Sequence, residues 1–122
     1  MRDHAAATLV ERIRQDQRAA MKQGYRVELS ELRTILARIA NAEAVPVSET
    51  INSTSGPIAG ATAGVGSTEM PRRELSLADV RDAIAEEIDE IDRALTGVDP
   101  ASRHAGELAE KREVARRYLP GD

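Results

Sequence analysis

Residues Glu74–Leu95 read ELSLADVRDAIAEEIDEIDRAL. Within them Leu77, Val80, Ile84, Ile88, Ile91 and Leu95 follow one another at intervals of three or four. That spacing lines up side chains on one face of an α-helix and does not fit a strand, in which alternate residues share a face. The ends agree with the periodicity. Ser76 is placed to accept from the free N–H groups of a first turn, with Asp79 three residues on as in a capping box, and Gly97 stands just past the last apolar residue. A helix over about 76–96 is predicted. Its other face holds seven carboxylates, Asp79, Asp82, Glu86, Glu87, Asp89, Glu90 and Asp92, against Arg81 and Arg93, and reads as a solvated surface.

Working outward, three more helices are expected. Over about 5–23, Leu9, Val10, Ile13, Ala20 and Met21 fall on one side, with Arg12, Arg14, Gln15, Arg18 and Lys22 around the rest and Gly24 as the stop signal. Over about 26–45, Leu29, Leu32, Ile35, Leu36 and Ile39 form a broad apolar face, and Ala37, Ala40 and Ala42 invite close contact. Tyr25 and Arg26 cap this helix poorly, and Pro46 ends it. Over about 100–119, Asp99 and Pro100 supply a start and Pro120 a stop. Ala101, Ala105, Leu108, Ala109, Ala115 and Leu119 are the inward candidates, and Gly106 is a candidate break. Short connections at Gly24 and at Gly97–Asp99 imply antiparallel neighbours. The expected fold is all-α: two antiparallel helical hairpins forming a small four-helix bundle in a single domain, 1–122. A long loop, about 46–73, rich in Ser, Thr, Gly and Ala, joins the hairpins and reads as flexible.

Composition narrows the function classes. The 122 residues include no Phe, Trp or Cys and two Tyr, so the core must be aliphatic and thin, and self-association is an open possibility. Without cysteine there is no disulfide framework, thiolate metal site or thiol nucleophile. The net charge of −4 argues against a general nucleic-acid binder but leaves room for a local basic patch. No apolar run matches a secretory leader or a membrane span, so a soluble cytoplasmic protein is expected.

Chemistry is sparsely marked. Gly60–Gly66, GATAGVG, has the glycines of a phosphate loop but neither the strand before it nor the lysine and helix after it. His4 and His104 form no Glu-x-x-His pair of the kind a helical di-metal site uses, and no serine stands beside a recognisable base. Neither catalytic residues nor metal ligands nor a cofactor are expected, and no small-molecule substrate is evident. The last helix carries Arg103, Lys111, Arg112, Arg116 and Arg117 against three glutamates, an electrostatic complement to the acidic helix before it. Salt bridges between the two, within one chain or across a dimer, are the plain reading.

Three runs in this order resemble the YqeY family, which is related to the C-terminal region of the GatB subunit of Asp/Glu-tRNA amidotransferase. They are LSELRTILARIANAEA at Leu29–Ala44, RRELSLADVRDAIAEEIDEIDRAL at Arg72–Leu95 and GELAEKREVARRYLP at Gly106–Pro120. The matching marks include Leu32-Arg33, Asn41-Ala42-Glu43, the Leu75–Val80 helix start, Leu108-Ala109-x-Lys111 and the closing Tyr118-Leu119-Pro120. The resemblance implies a non-catalytic helical module linked to tRNA-dependent amidation, a carbon–nitrogen ligation with glutamine as amide donor, acting through tRNA or a protein partner. Two departures stand out: the small terminal helical domain usual after Tyr-Leu-Pro is missing here, and the 76–96 helix is more acidic than the family's. If RNA is bound, the expected phosphate contacts are Arg12, Arg14, Arg18, Lys111, Arg112, Arg116 and Arg117. The alternative is a homodimeric or scaffold-type interaction module with no RNA role, and an amidotransferase-associated activity would need partner subunits.

Overall fold

A computed structural model describes residues 4–44 and 73–121. Among them the chain forms four helices: α1 His4–Gln23, α2 Arg26–Glu43, α3 Leu77–Thr96 and α4 Arg103–Arg116. The all-α class holds, and the helices pack as a bundle. Both α2 and α3 pack against all three other helices, whereas α1 and α4 do not pack on each other. The expected 46–73 loop lies outside the described residues except for Arg73, whose N–H donates to the Glu43 carbonyl at 2.7 Å and ties the approach to α3 onto the end of α2.

Local chemistry sets the element ends. Gly24, with φ of +76°, adopts the left-handed conformation that closes α1. Tyr25 N–H then reaches back to Ala20 O and Gly24 N–H to Met21 O, the Schellman pattern that satisfies the last carbonyls of a helix. α2 starts at Tyr25 without a side-chain cap, as its sequence implies. At α3 the capping box is complete: Ser76 Oγ accepts from Asp79 N–H and Asp79 Oδ2 accepts from Ser76 N–H, both at 3.0 Å. The Asp79 carboxyl is held below the usual carboxylate range mainly by that bond from the Ser76 backbone, with Arg73 helping.

The core is aliphatic. Ile13, Leu32, Ile35 and Ile84 are wholly enclosed, and Val80, Ile88, Ile91 and Ile39 join them. The stripe that predicts α3 is buried through its middle, and its end members Leu77 and Leu95 are half-buried.

Several details depart from expectation. α4 starts three residues later than Pro100 because Ser102 outcompetes Asp99 as the cap. Ser102 Oγ accepts from Ala105 N–H at 3.1 Å, while Asp99 closes the preceding turn onto Ala101 N–H. α4 also ends at Arg116, and Tyr118 and Leu119 continue in a tighter turn bonded to Ala115 and Arg116. Gly106 makes no break. Met21 is 55% exposed, and Ala37, Ala40, Ala101 and Ala109 face outward, while Val114 faces inward. The acidic face of α3 is not uniformly solvated, since Glu87 is buried there.

Candidate functional site

Two carboxylates sit inside the bundle, Glu31 of α2 and Glu87 of α3. Glu87 is neutralised from α2: Arg38 Nε donates to Glu87 Oε1 at 2.6 Å, and another guanidinium nitrogen donates to Glu90 Oε1. Hydrogen bonding to Glu87 is the first reason the Arg38 guanidinium holds its proton more tightly than usual. Glu31 has no such counterion, and its Oε2 is buried without a hydrogen-bond partner. Burial, then the hydrogen bond and negative charge of Glu87, push the Glu31 carboxyl up to about 9; Lys111 and Arg38 pull weakly the other way. Glu31 is therefore neutral at neutral pH. Among the described residues no group of three or more acidic or histidine side chains is placed to hold a metal ion.

A second cluster joins the chain end to α1 and α2. The Tyr118 hydroxyl donates to Asp16 Oδ2, and Arg117 donates to Glu28 at 3.0 Å with Asp16 at 3.9 Å. The guanidiniums of Arg12 and Arg117 lie 5.4 and 5.7 Å from the Tyr118 ring centre, within cation–π range. Burial is the first cause and the bond to Asp16 the second that hold the phenol protonated beyond its ordinary range.

The seven cations proposed for phosphate contact do not form one face. Arg12 and Arg117 meet at Tyr118. Arg18 pairs with Glu11 at 3.2 Å and Arg112 with Asp92 at 2.6 Å, the latter a direct link between the basic and acidic helices. Arg14 lies beside Glu11, Glu43 and Arg73 in a cleft at the α2 end of the bundle. Arg116 is exposed on α4. Of the seven, only Lys111 falls in the basic groove between α2 and α4.

That groove, about 760 Å³, runs between α2 and α4. α2 contributes Arg26, Ser30, Arg33 and Thr34, and α4 contributes Arg103, Glu107 and Lys111. Four cations therefore face one carboxylate, a local excess of +3 in a chain of net −4. None of the four pairs with a carboxylate among the described residues. Arg26 opens α2 and Arg103 opens α4, so the positive ends of two helix dipoles border the same groove, and that of α2 lacks a side-chain cap. The Ser30 and Thr34 hydroxyls add polar groups to its wall. Arg26, Arg33 and Arg103 escaped the sequence-based choice of contacts. The signal was present as helical spacing, 26, 30, 33 and 34 on one helix and 103, 107 and 111 on the other, but which helices would adjoin was not legible.

Compared with protein-family models, curated proteins and solved structures, the chain matches none.

Proposed function

We propose that the chain is a non-catalytic helical module that contacts RNA phosphates through the α2–α4 groove. The observation that carries this reading is the cluster of Arg26, Arg33, Arg103 and Lys111 with no carboxylate partner but Glu107 nearby. Such an array attracts a phosphate backbone and gives it little base preference. The resemblance of its sequence to the YqeY family supports tRNA as the RNA and tRNA-dependent amidation as the setting. The dimeric alternative draws less support, because Asp92, Glu87 and Glu90 already have cationic partners within the chain.

Fluorescence anisotropy with unfractionated tRNA tests the reading at about 50 and about 200 mM salt, where each phosphate contact adds about −0.7 to −0.9 to the log–log slope. Binding that weakens steeply with salt, and that R33E with K111E abolishes while R18E leaves it intact, is expected. Binding unaffected by R33E and K111E would overturn the groove assignment. No binding at low salt, with a dimer in light scattering, would turn the case toward the interaction module.

A further inference from the structure

A second cleft lies between the first half of α1, the first turns of α3 and the segment after α4. Its volume is about 450 Å³, within the size range of clefts that take small molecules. Leu9, Leu77 and Leu119 line it together with Arg12, Arg81 and Arg117, and no carboxylate does. The three leucines are half-buried, Leu9 and Leu119 pack on the core, and all three still offer apolar surface to a ligand. Three arginines around an apolar floor reverse the charge balance of a chain with 21 acidic and 17 basic residues.

The arginines are not equivalent. Arg117 is balanced by Glu28 and Asp16 and serves the bundle. Arg12 and Arg81 pair with no carboxylate among the described residues. Arg12 is also held in place by the Tyr118 ring, so part of the entropy of fixing its long side chain has already been lost. We infer that this cleft binds a carboxylate carried on an aliphatic body, with the body on Leu9, Leu77 and Leu119 and the carboxylate taken by Arg12 and Arg81. A heavily hydrated phosphodiester gains nothing from a leucine floor, and the α2–α4 groove, which has hydroxyls in its wall, suits it better. An aliphatic alcohol would use the floor but forgo the charge-assisted bonds to the guanidiniums. Two sources share the required chemistry: a free fatty acid, and the terminal carboxylate of a peptide ending in leucine-like residues.

The experiment is a methyl and amide NMR titration of the full chain with decanoate below its micelle concentration. Decanol, acetyl-Ala-Leu-Leu with a free carboxylate and the same peptide as its amide are titrated alongside. Saturable one-to-one binding of decanoate is expected, with shifts centred on Leu9, Leu77 and Leu119, and with decanol about ten-fold weaker or more. R81A should weaken decanoate by about ten-fold. Arg81 is exposed and its guanidinium has no hydrogen-bond or ion-pair partner among the described residues, so the fold survives its loss, which an unchanged circular dichroism spectrum checks. R33E, in the other groove, should leave decanoate binding unchanged, so the two sites stand or fall separately. Tighter binding of the peptide acid than of its amide identifies a protein C-terminus as a source, and binding of decanoate alone identifies a free fatty acid. Equal binding of decanoate and decanol would overturn the inference, as would an unaffected R81A, shifts elsewhere or no saturation.

Discussion

At the scale of single residues, the bundle is marked by an asymmetry between two buried glutamates. Glu87 is paired with Arg38, while Glu31, one helix away, is kept neutral by burial and by its hydrogen bond to and the charge of Glu87. This ties stability to pH with a definite sign. The folded-state pKa of Glu31 is about 9 against 4.5 when solvated, so between those values the native state holds a proton that the unfolded chain has released. Stability is therefore greatest below about pH 4.5 as far as this group is concerned, and it declines as pH rises to about 9, by at most about 1.4 kcal/mol per pH unit. E31Q should flatten that decline, raising the melting temperature near pH 8.5 (about two units above a typical histidine pKa) relative to the parent. Parallel melting-versus-pH curves for parent and E31Q would contradict it. Arg38 is expected to respond differently: R38M leaves buried Glu87 without its cationic partner and should lose about 3 kcal/mol in urea unfolding, with E87Q in the same chain recovering most of the loss. Neither glutamate was legible in the sequence as a buried group. Glu31 sits beside Leu32 and Glu87 beside Ile88, and whether a charged residue at the edge of an apolar stripe is enclosed depends on how the neighbouring helix crosses, which one-dimensional periodicity does not carry.

At the scale of the elements, what could be read was what local chemistry decides. The α3 stripe and the Ser76–Asp79 box were both legible because each involves residues within one or two helical turns. The start of α4 was misread because Asp99 and Ser102 are both good caps three residues apart, and the choice between them falls to the turn that Asp99 makes with Ala101 and Ser102. Gly106 was a candidate break for a sound reason, since glycine is a poor helix former, yet α4 passes through it because flanking Ala105 and Leu108 are buried. A methyl group at Gly106 meets nothing within 4 Å, and its φ is not in the left-handed region. G106A should therefore stabilise the chain by about 0.5 to 1 kcal/mol, seen as a higher urea midpoint at unchanged slope. A lowered midpoint would mean that the backbone at 106 needs a freedom the described conformation does not display. The candidate contact residues divide along the same line. Lys111 was found because a basic run on one helix is visible in sequence, whereas its partners Arg26 and Arg33 lie on α2 and become neighbours only through packing.

For the whole molecule, the arrangement of helices leaves one seam to be closed by side chains. α1 and α4 occupy positions that do not meet, and the segment after α4 joins the end of the second hairpin to α1. Tyr118 does this. It is 4% exposed, its ring lies under Arg12 of α1 and its hydroxyl donates to Asp16 of the same helix, while neighbouring Arg117 reaches Glu28 of α2. In a chain without Phe or Trp it is also the only aromatic ring in the described core, the other tyrosine, Tyr25, being largely exposed. Removing the ring should then cost far more than removing the hydroxyl. Y118A empties a buried aromatic site and frees the chain end, an expected loss of about 3 to 4 kcal/mol. Y118F keeps the ring and its cation–π contacts and leaves partly exposed Asp16 to water, an expected loss of about 1 kcal/mol. Hydrogen exchange distinguishes a latch from an ordinary core residue: in Y118A, amides at the end of α4 and in the middle of α1 should lose protection while those of α3 around Ile84 retain theirs. Uniform loss of protection across all four helices would show instead that Tyr118 is one more member of a single cooperative core, and that the α1–α3, α2–α3 and α2–α4 contacts hold the two hairpins together without a latch.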